Sequence, residues 1–223
     1  MPSTLLALVP DTAPDRSPVE LYLALSPEPD LTRVRSVLHP NSSFLDLGSG
    51  PGRIANPLAA EGHEVVAVDN SAEMLFFVIG AERVLDDIWT LDLGRRFDAV
   101  LALSHLVNSR SRERRLQLLR TCRHHVRDGG VVLIQRYPPR CVPLERVRRL
   151  GRVAIWLHEI EMLEDGFSAQ VTYRVGSDSW TQAFDAAIVD DAKLDTMVAE
   201  VGLSVVGELD DDGEWVLLGA MTE

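Results

Sequence analysis

The stretch that decides the fold is FLDLGSGPGRIANPLA, residues 44–59, in which an apolar run leads into glycines and then into a helical pattern. Gly48, Gly50 and Gly52 stand at alternate positions within it. Glycine adopts positive φ at low cost and lets the backbone approach a ligand, and a helix that follows such a turn offers free N–H groups. The stretch therefore predicts a strand–turn–helix corner that binds a nucleotide-like ligand.

The spacing of these glycines excludes two common classes of nucleotide site. A dinucleotide fold needs the pattern G-x-G-x-x-G, but Arg53 occupies its last position here. A Walker-type loop needs a lysine after the glycines, and none follows. Asp46 precedes the glycines, where a carboxylate would repel a pyrophosphate and attract an ammonium group. The predicted ligand is therefore cationic and carries no phosphate at this turn.

Acidic residues at the ends of two further strands refine this prediction. Asp69 ends the second strand, 23 residues after Asp46, where a carboxylate can accept hydrogen bonds from both hydroxyls of a ribose. Asp86 and Asp87 end the third strand, where an adenine edge would lie, and the sequence does not decide between them. Acids for an amine, a ribose and an adenine amine together describe a cationic nucleoside, S-adenosylmethionine.

The pattern along the chain predicts an α/β fold. From Phe44 to residue 136, five apolar strands alternate with helices, which indicates right-handed βαβ units and a parallel sheet covered on both faces. A helix over residues 71–82 is predicted to begin at a capping box of Asn70 and Glu73. The pattern then changes to a period of two, which predicts three antiparallel strands at 153–163, 168–175 and 180–188. A helix and a closing hairpin follow.

These motifs make the sequence resemble a class I S-adenosylmethionine-dependent methyltransferase of the small-molecule type. LDLGSGPG matches the first motif of that family and VVAVDNSAEML the second. VLDDIWTL and FDAVLALSHLVN match the third and fourth motifs, and RDGGVVLIQ matches the fifth strand. The match covers about residues 18–137 and 192–220.

The resemblance implies the full architecture. We expect one methyltransferase domain over residues 1–223, with a Rossmann-like, seven-stranded, mostly parallel sheet and helices on both faces. The closing hairpin would supply the antiparallel seventh strand of the family. Residues 1–40 would form lid helices, and residues 150–190 an antiparallel insert after the fifth strand that caps the substrate.

The resemblance also implies which residues form the site. The residues expected to bind S-adenosylmethionine are Tyr22, Asp46, Gly48, Ser49, Gly50, Asp69, Asn70, Met74, Asp87, Ile88 and Ser104. Candidates for a catalytic base are His105 after the fourth strand, Tyr137 after the fifth and His158 in the insert. The insert aromatic residues either line the substrate pocket or pack the insert sheet; they are Trp156, Tyr173, Trp180 and Phe184.

The predicted function is methyl transfer to an O or N nucleophile of a small metabolite or natural product. An RNA or protein methyltransferase is an alternative, and a non-catalytic partner protein with the cofactor fold is another. The intact glycine loop and acids argue against the partner protein. A metal-dependent O-methyltransferase would need acids and an amide near the methyl group. Only Asn108 fits that requirement, so no metal site is predicted.

Composition limits the partners. The net charge of −12 argues against general binding to nucleic acid phosphates, and no apolar run is long enough to span a membrane. Cys122 and Cys141 lack the spacing of a metal site or disulfide framework. Together these features lead us to expect a soluble, cytoplasmic protein that binds neither DNA nor membranes. A homodimer is left open. Between Arg110 and Arg152 there are 13 arginines against three acids, a pattern typical of a solvated, ion-paired surface.

Overall fold

Helices and strands alternate through residues 18–139 and 143–221, which the computed structural model describes. The helices are α1 (Val19–Ala24), α2 (Asp30–Ser36), α3 (Ala55–Ala60), α4 (Ala72–Leu75), α5 (Arg112–His125) and α6 (Asp191–Glu200). The strands are β1 (Ser43–Leu47), β2 (Glu64–Asp69), β3 (Glu82–Leu85), β4 (Phe97–Ala102), β5 (Val126–Gln135), β6 (Arg146–Leu150), β7 (Val153–Leu163), β8 (Gly166–Val175), β9 (Asp178–Ala187), β10 (Leu203–Glu208) and β11 (Trp215–Ala220). Residues 1–17 of the expected lid lie outside the described residues.

The main sheet has seven strands in the order β10-β11-β5-β4-β1-β2-β3. The pairs from β5 to β3 are parallel, whereas β11 runs antiparallel to both β5 and β10. The predicted Rossmann-like fold is therefore confirmed. Because β11 is antiparallel, its first residue lies beside the carboxyl end of β5, at the edge where the parallel strands also end.

Alternate residues of each central strand pack into two separate cores. On one face Phe44 of β1 lies in a buried cluster with Leu58 of α3. On the other face Leu45 lies in a buried cluster with Leu119 of α5 and Leu194 of α6. Burial of an aliphatic or aromatic side chain contributes about 1.5–3 kcal/mol, so this double-sided burial stabilises the parallel sheet. Its carboxyl edge is left available for the site.

Helix α4 is shorter than the sequence predicts, and its cap is Ser71 rather than Asn70. Ser71 Oγ accepts a hydrogen bond from the Met74 N–H at 3.1 Å and donates one to Glu73. Asp69 fixes this start, because its Oδ1 accepts the Ser71 N–H at 2.9 Å. The helix ends early because the Asn56 amide binds backbone groups of the segment that follows Phe76.

The insert is a four-stranded antiparallel sheet in the order β6-β7-β8-β9, so the prediction of three strands was wrong by one. The missed strand is β6, Arg146–Leu150, whose sequence RVRRL has three arginines and no alternation of apolar and polar residues. The sheet therefore spans 146–187 rather than 150–190. Helix α1 packs on it through the fully buried Leu21, which contacts Val153, Ile155 and Val171. No helix within the described ranges is long and apolar enough to cross a membrane.

Candidate active site

A cavity of about 970 Å³ lies between the carboxyl edge of the main sheet, α1 and the insert sheet. Every residue expected to bind the cofactor lines it, and His105 and Tyr137 do so as well. Ligand pockets commonly have volumes of roughly 300–1,000 Å³, so this cavity can hold a nucleoside and a small second molecule together. The parallel strands end here, which is why residues distant in sequence share one cavity.

The glycine loop forms the floor of the cavity beside β1. Gly48, Gly50 and Gly52 have φ values of +70°, +55° and +83°, which other residues rarely adopt. A Cβ at Gly50 would meet no atom within 4 Å, so this position opens into the cavity. A Cβ at Gly52 would lie 2.3 Å from Asn56 Oδ1, so that glycine serves packing. Glycine is therefore needed at these two positions for different reasons: Gly50 keeps the cavity open, and Gly52 leaves room for Asn56.

Asp46 is a buried carboxyl group at the end of β1, and its side chain lines the cavity. Burial raises its pKa from 3.8 to about 7; nearby Arg53 opposes the rise and Asp69 adds to it. Such a carboxyl group gains most from a cationic ligand, because a positive charge next to it offsets the cost of ionising it in the interior.

Asp69 joins the glycine loop to the second strand. Its Oδ2 accepts the Gly50 N–H at 2.8 Å, and its Oδ1 accepts the Ser71 N–H. The carboxylate is thereby held at the cavity wall. The structure also separates the two acids after β3: Asp87 lines the cavity, whereas Asp86 does not and instead accepts the Asp87 N–H at 2.7 Å.

Arg53 is a cavity residue that sequence reasoning noticed only as a departure from the dinucleotide pattern. Its Nη1 lies 2.8 Å from Asp30 Oδ2 and also donates to the Ser26 carbonyl, so the guanidinium is held in one position. Both side chains of this ion pair are largely buried. Arg53 is therefore a fixed positive charge near the carboxyl group of Asp46.

His105 lies shortly after the carboxyl end of β4 and has an uncommon backbone conformation. Ser104 and His105 have φ values of +54° and +62°, and strained left-handed residues of this kind occur often at functional sites. His105 Nε2 lies 3.5 Å from Glu214 Oε1. The same Glu214 oxygen accepts a hydrogen bond from Gln135 Nε2 at 2.7 Å, and Gln135 Oε1 accepts the Ser104 N–H.

Glu214 was missed by the sequence analysis because it stands in the acidic turn before β11. Burial alone would raise its pKa, but the interactions with His105 and Gln135 dominate and lower it to about 2. Glu214 is therefore ionised at neutral pH beside the His105 ring. A carboxylate in this position fixes the orientation of an imidazole, as in other histidine–carboxylate pairs.

Tyr137 stacks on His105, with ring centroids 4.1 Å apart and an interplanar angle of 11°. Burial raises the pKa of Tyr137, so its hydroxyl keeps its proton. Asn108 supports this residue by accepting the Tyr137 N–H at 2.9 Å while its amide donates to the Ala187 carbonyl. The Asn108 amide is thus used to join β5 to the insert.

His158 does not lie at the cavity, unlike His105 and Tyr137. It stacks on Trp156 at 4.1 Å, and its Nε2 lies 2.8 Å from Thr172 Oγ1 on the other face of the insert sheet. Ile155 and Leu157 of the same strand line the cavity instead. Of the insert aromatic residues, Tyr173 and Phe184 line the cavity and Trp156 and Trp180 do not.

A sequence comparison gives the family of the site-bearing segment. Residues 44–130 match the family described as "Methyltransferase domain". Residues 44–130 of this chain therefore carry a methyltransferase domain. The matched residues include the glycine loop, Asp69, Asp87 and His105, so the resemblance inferred from the motifs is confirmed. A comparison with curated proteins finds no match.

Solved structures with the same fold cover most of the chain. An S-adenosylmethionine-dependent methyltransferase from Clostridium acetobutylicum is 14% identical with a TM-score of 0.67, covering 92% of this chain and 91% of its own. DesVI from Streptomyces venezuelae is 20% identical with a TM-score of 0.69, covering 88% and 91%. CalS10, an amino pentose methyltransferase from Micromonospora echinaspora, is 19% identical with a TM-score of 0.69, covering 87% and 90%. At these identities the likeness establishes the methyltransferase fold.

Proposed function

We propose that this protein transfers a methyl group from S-adenosylmethionine to an O or N nucleophile of a small metabolite or natural product. One observation carries the proposal: the glycine loop with three acids and the His105–Glu214 pair line or adjoin the same covered cavity. The methyltransferase domain and the solved structures of the same fold support the reaction class.

The residues that line the cavity at and around the glycine loop fit a cationic nucleoside. Asp46 and Arg53 together match the ammonium and carboxylate of a methionine moiety, since they carry opposite charges and both line the cavity. Asp69 matches ribose hydroxyls, and Asp87 matches an adenine amine. Gly50 leaves room for close approach of the ligand because its Cβ position is open. S-adenosylmethionine supplies a methyl group that is already activated on a sulfonium.

The chain itself contributes alignment and proton acceptance. Alignment of two reactants can lower a barrier by roughly 7–11 kcal/mol in favourable cases. Glu214 lies 3.5 Å from His105 Nε2 and favours a proton on that nitrogen, which leaves Nδ1 to accept the proton of an amine or hydroxyl nucleophile. Tyr137 keeps its proton and serves as a wall and a hydrogen-bond donor. His158 has no part in this proposal because it faces away from the cavity.

The descriptions of proteins with similar structures suggest which methyl acceptors to screen first. CalS10 is described as an amino pentose methyltransferase and KedS8 as a sugar N-methyltransferase, and both cover most of this chain. MtfA is described as a glycopeptide N-methyltransferase. Amino sugars and other small amines are therefore the acceptors to test first, followed by matched hydroxyl compounds.

Calorimetric titration with S-adenosylmethionine and S-adenosylhomocysteine tests the cofactor half of the proposal. We expect Asp69→Asn to weaken binding at least about tenfold, because a charged hydrogen-bond acceptor is lost. Asp87→Ala and Asp86→Ala form a matched pair, of which only Asp87 lines the cavity. Affinity that falls in Asp87→Ala and is retained in Asp86→Ala supports the assignment. A folded wild-type protein that binds neither compound refutes the proposed function.

A further inference from the structure

Four arginines line the cavity, and two of them have a structural role there. Arg53 is paired with Asp30 at 2.8 Å. The Arg114 guanidinium carbon lies 5.6 Å from the centroid of the Trp89 ring, in a cation–π contact. Arg146 and Arg148 also line the cavity, and within residues 18–139 and 143–221 neither forms an ion pair. Two cationic groups therefore face a cavity whose loop side already matches the cofactor.

We propose that Arg146 and Arg148 bind an oxyanion group of the methyl acceptor, a phosphate or a carboxylate. This inference rests on the proposed function, because it concerns the acceptor side of the same cavity. It predicts that the acceptor combines a nucleophilic amine or hydroxyl with an anionic group.

These two residues stand out within the arginine-rich stretch from Arg110 to Arg152. Arginines elsewhere in the stretch engage the protein itself, as in the pairs Arg110–Asp165 at 2.8 Å, Arg112–Glu200 at 2.6 Å and Arg136–Asp191 at 2.6 Å. Arg115 and Arg123 donate to backbone carbonyls. Contacts within the protein thus account for much of the positive charge. Among the described residues of the stretch, Arg146, Arg148, Arg149 and Arg152 have no ion pair, side-chain hydrogen bond or ring contact with another described residue, and of these only Arg146 and Arg148 line the cavity.

The strand geometry directs the two arginines to the same side. In β6, Arg146, Arg148 and Leu150 line the cavity, whereas Val147 and Arg149 do not. This is the alternation expected of a β-strand, in which every second side chain faces one side. The residues paired with them across the sheet, Leu157 and Ile155, also line the cavity. The pair is therefore presented by a formed strand and not by a loose loop.

The acids that match the cofactor and the two arginines lie on different walls of the cavity. The acids that match the cofactor lie on the main sheet, at Asp46, Asp69 and Asp87, and the two arginines lie on the insert. The charge of Arg148 acts on Tyr137 and Tyr173, which line the cavity, and on Glu214 beside His105. The insert also contributes Asp185, which lies on β9 at the opposite edge of that sheet.

The chemistry of the pair suits an oxyanion. Guanidinium groups bind phosphate and carboxylate through two parallel N–H donors. Residues two apart in a strand are separated by about 7 Å, so both side chains can converge on one group with several oxygens. Both arginines line the cavity and are also exposed to solvent, so an oxyanion group can reach them.

The test uses the full chain and two probes, pyrophosphate for phosphate chemistry and citrate for carboxylate chemistry. Each is titrated calorimetrically into the protein with and without saturating S-adenosylhomocysteine, in a low-salt buffer. The variant is the double substitution Arg146→Gln with Arg148→Gln. The single variants Arg146→Gln and Arg148→Gln are measured as well. Their matched control is Arg149→Gln, which also removes one positive charge, from the same strand but on the side away from the cavity.

We expect the wild type to bind at least one probe, the double variant to bind it at least about tenfold more weakly, and Arg149→Gln to match the wild type. A preference for pyrophosphate identifies a phosphate acceptor and a preference for citrate a carboxylate acceptor. Equal losses in the control and the double variant, or no binding of either probe by the wild type, overturn the inference. Unchanged S-adenosylhomocysteine affinity shows that the double variant is folded. Absence of that affinity in the wild type counts against the proposed function alone, since the probes are also titrated without it.

Discussion

Replacing Asp46 with asparagine should stabilise the protein while impairing its site. Asp46 is only 3% exposed, and burial raises its pKa from 3.8 in the unfolded chain to about 7. Each pKa unit corresponds to 1.36 kcal/mol, so an ionised Asp46 destabilises the native state by roughly 4 kcal/mol above pH 7. Because the folded pKa is the higher one, the favourable contribution of Asp46 is complete below pH 3.8 and is lost as the pH rises through 7.

Asparagine has no charge to desolvate, so the gain in Asp46→Asn should depend on pH. We expect the variant to exceed the wild type in free energy of unfolding by up to about 4 kcal/mol at pH 8 and by less than about 1 kcal/mol at pH 4. Urea unfolding followed by circular dichroism at these two values measures the difference. They avoid the sequence pI of about 4.9, where solubility is lowest.

Asp98→Asn is the matched control, because its shift has the opposite sign. Burial would raise the pKa of Asp98, but hydrogen bonds from Ser43 and the charge of Arg127 lower it overall. The Asp98 variant should therefore be less stable than the wild type at pH 8, with the loss shrinking as the pH falls through the folded pKa. A stability gain in Asp46→Asn that is equal at both pH values, or a loss at pH 8, would refute the reasoning about Asp46.

The other predictions concern the loop and the base. Gly52→Ala should destabilise the fold by about 1–3 kcal/mol, because it combines a positive φ with a contact to Asn56, and it should cost more than Gly50→Ala in urea unfolding. Gly50→Ala should instead weaken S-adenosylhomocysteine binding with the fold intact; equal effects of both substitutions on binding would contradict the separation of their roles. His105→Gln should lower kcat about 10²–10⁴-fold without changing cofactor affinity, as measured by steady-state kinetics with an acceptor found in the screen. Glu214→Gln should lower kcat less and change the pH–rate profile while the KM for the cofactor stays constant, and an unchanged profile would rule out a positioning role for Glu214.

Features carried by contiguous residues could be predicted from the sequence. The glycine loop needs positive φ at three nearby positions, and only glycine adopts it at low cost. The strand–turn–helix corner can therefore be predicted from one short stretch of sequence. The apolar strands need burial on both faces, which predicted the parallel sheet and its carboxyl-edge site. The start of α4 was less predictable, since Asn70 and Ser71 are both good caps. In the structure the Asp69 carboxylate accepts the Ser71 N–H, and Ser71 is the residue that caps the helix.

Other features depend on contacts between distant parts of the chain. Strand β6 could not be recognised because its arginines hide the alternation, and only pairing with β7 gives it two distinct faces. Glu214 reaches His105 because β11 runs antiparallel to β5, so the beginning of one strand lies beside the end of the other. Local sequence determines backbone conformation and burial, and these determined the fold and the residues predicted to bind the cofactor. Strand order and direction determine which distant charges meet. Only the tertiary structure therefore decided the pairing of His105 with Glu214 and the position of Arg146 and Arg148 at the cavity.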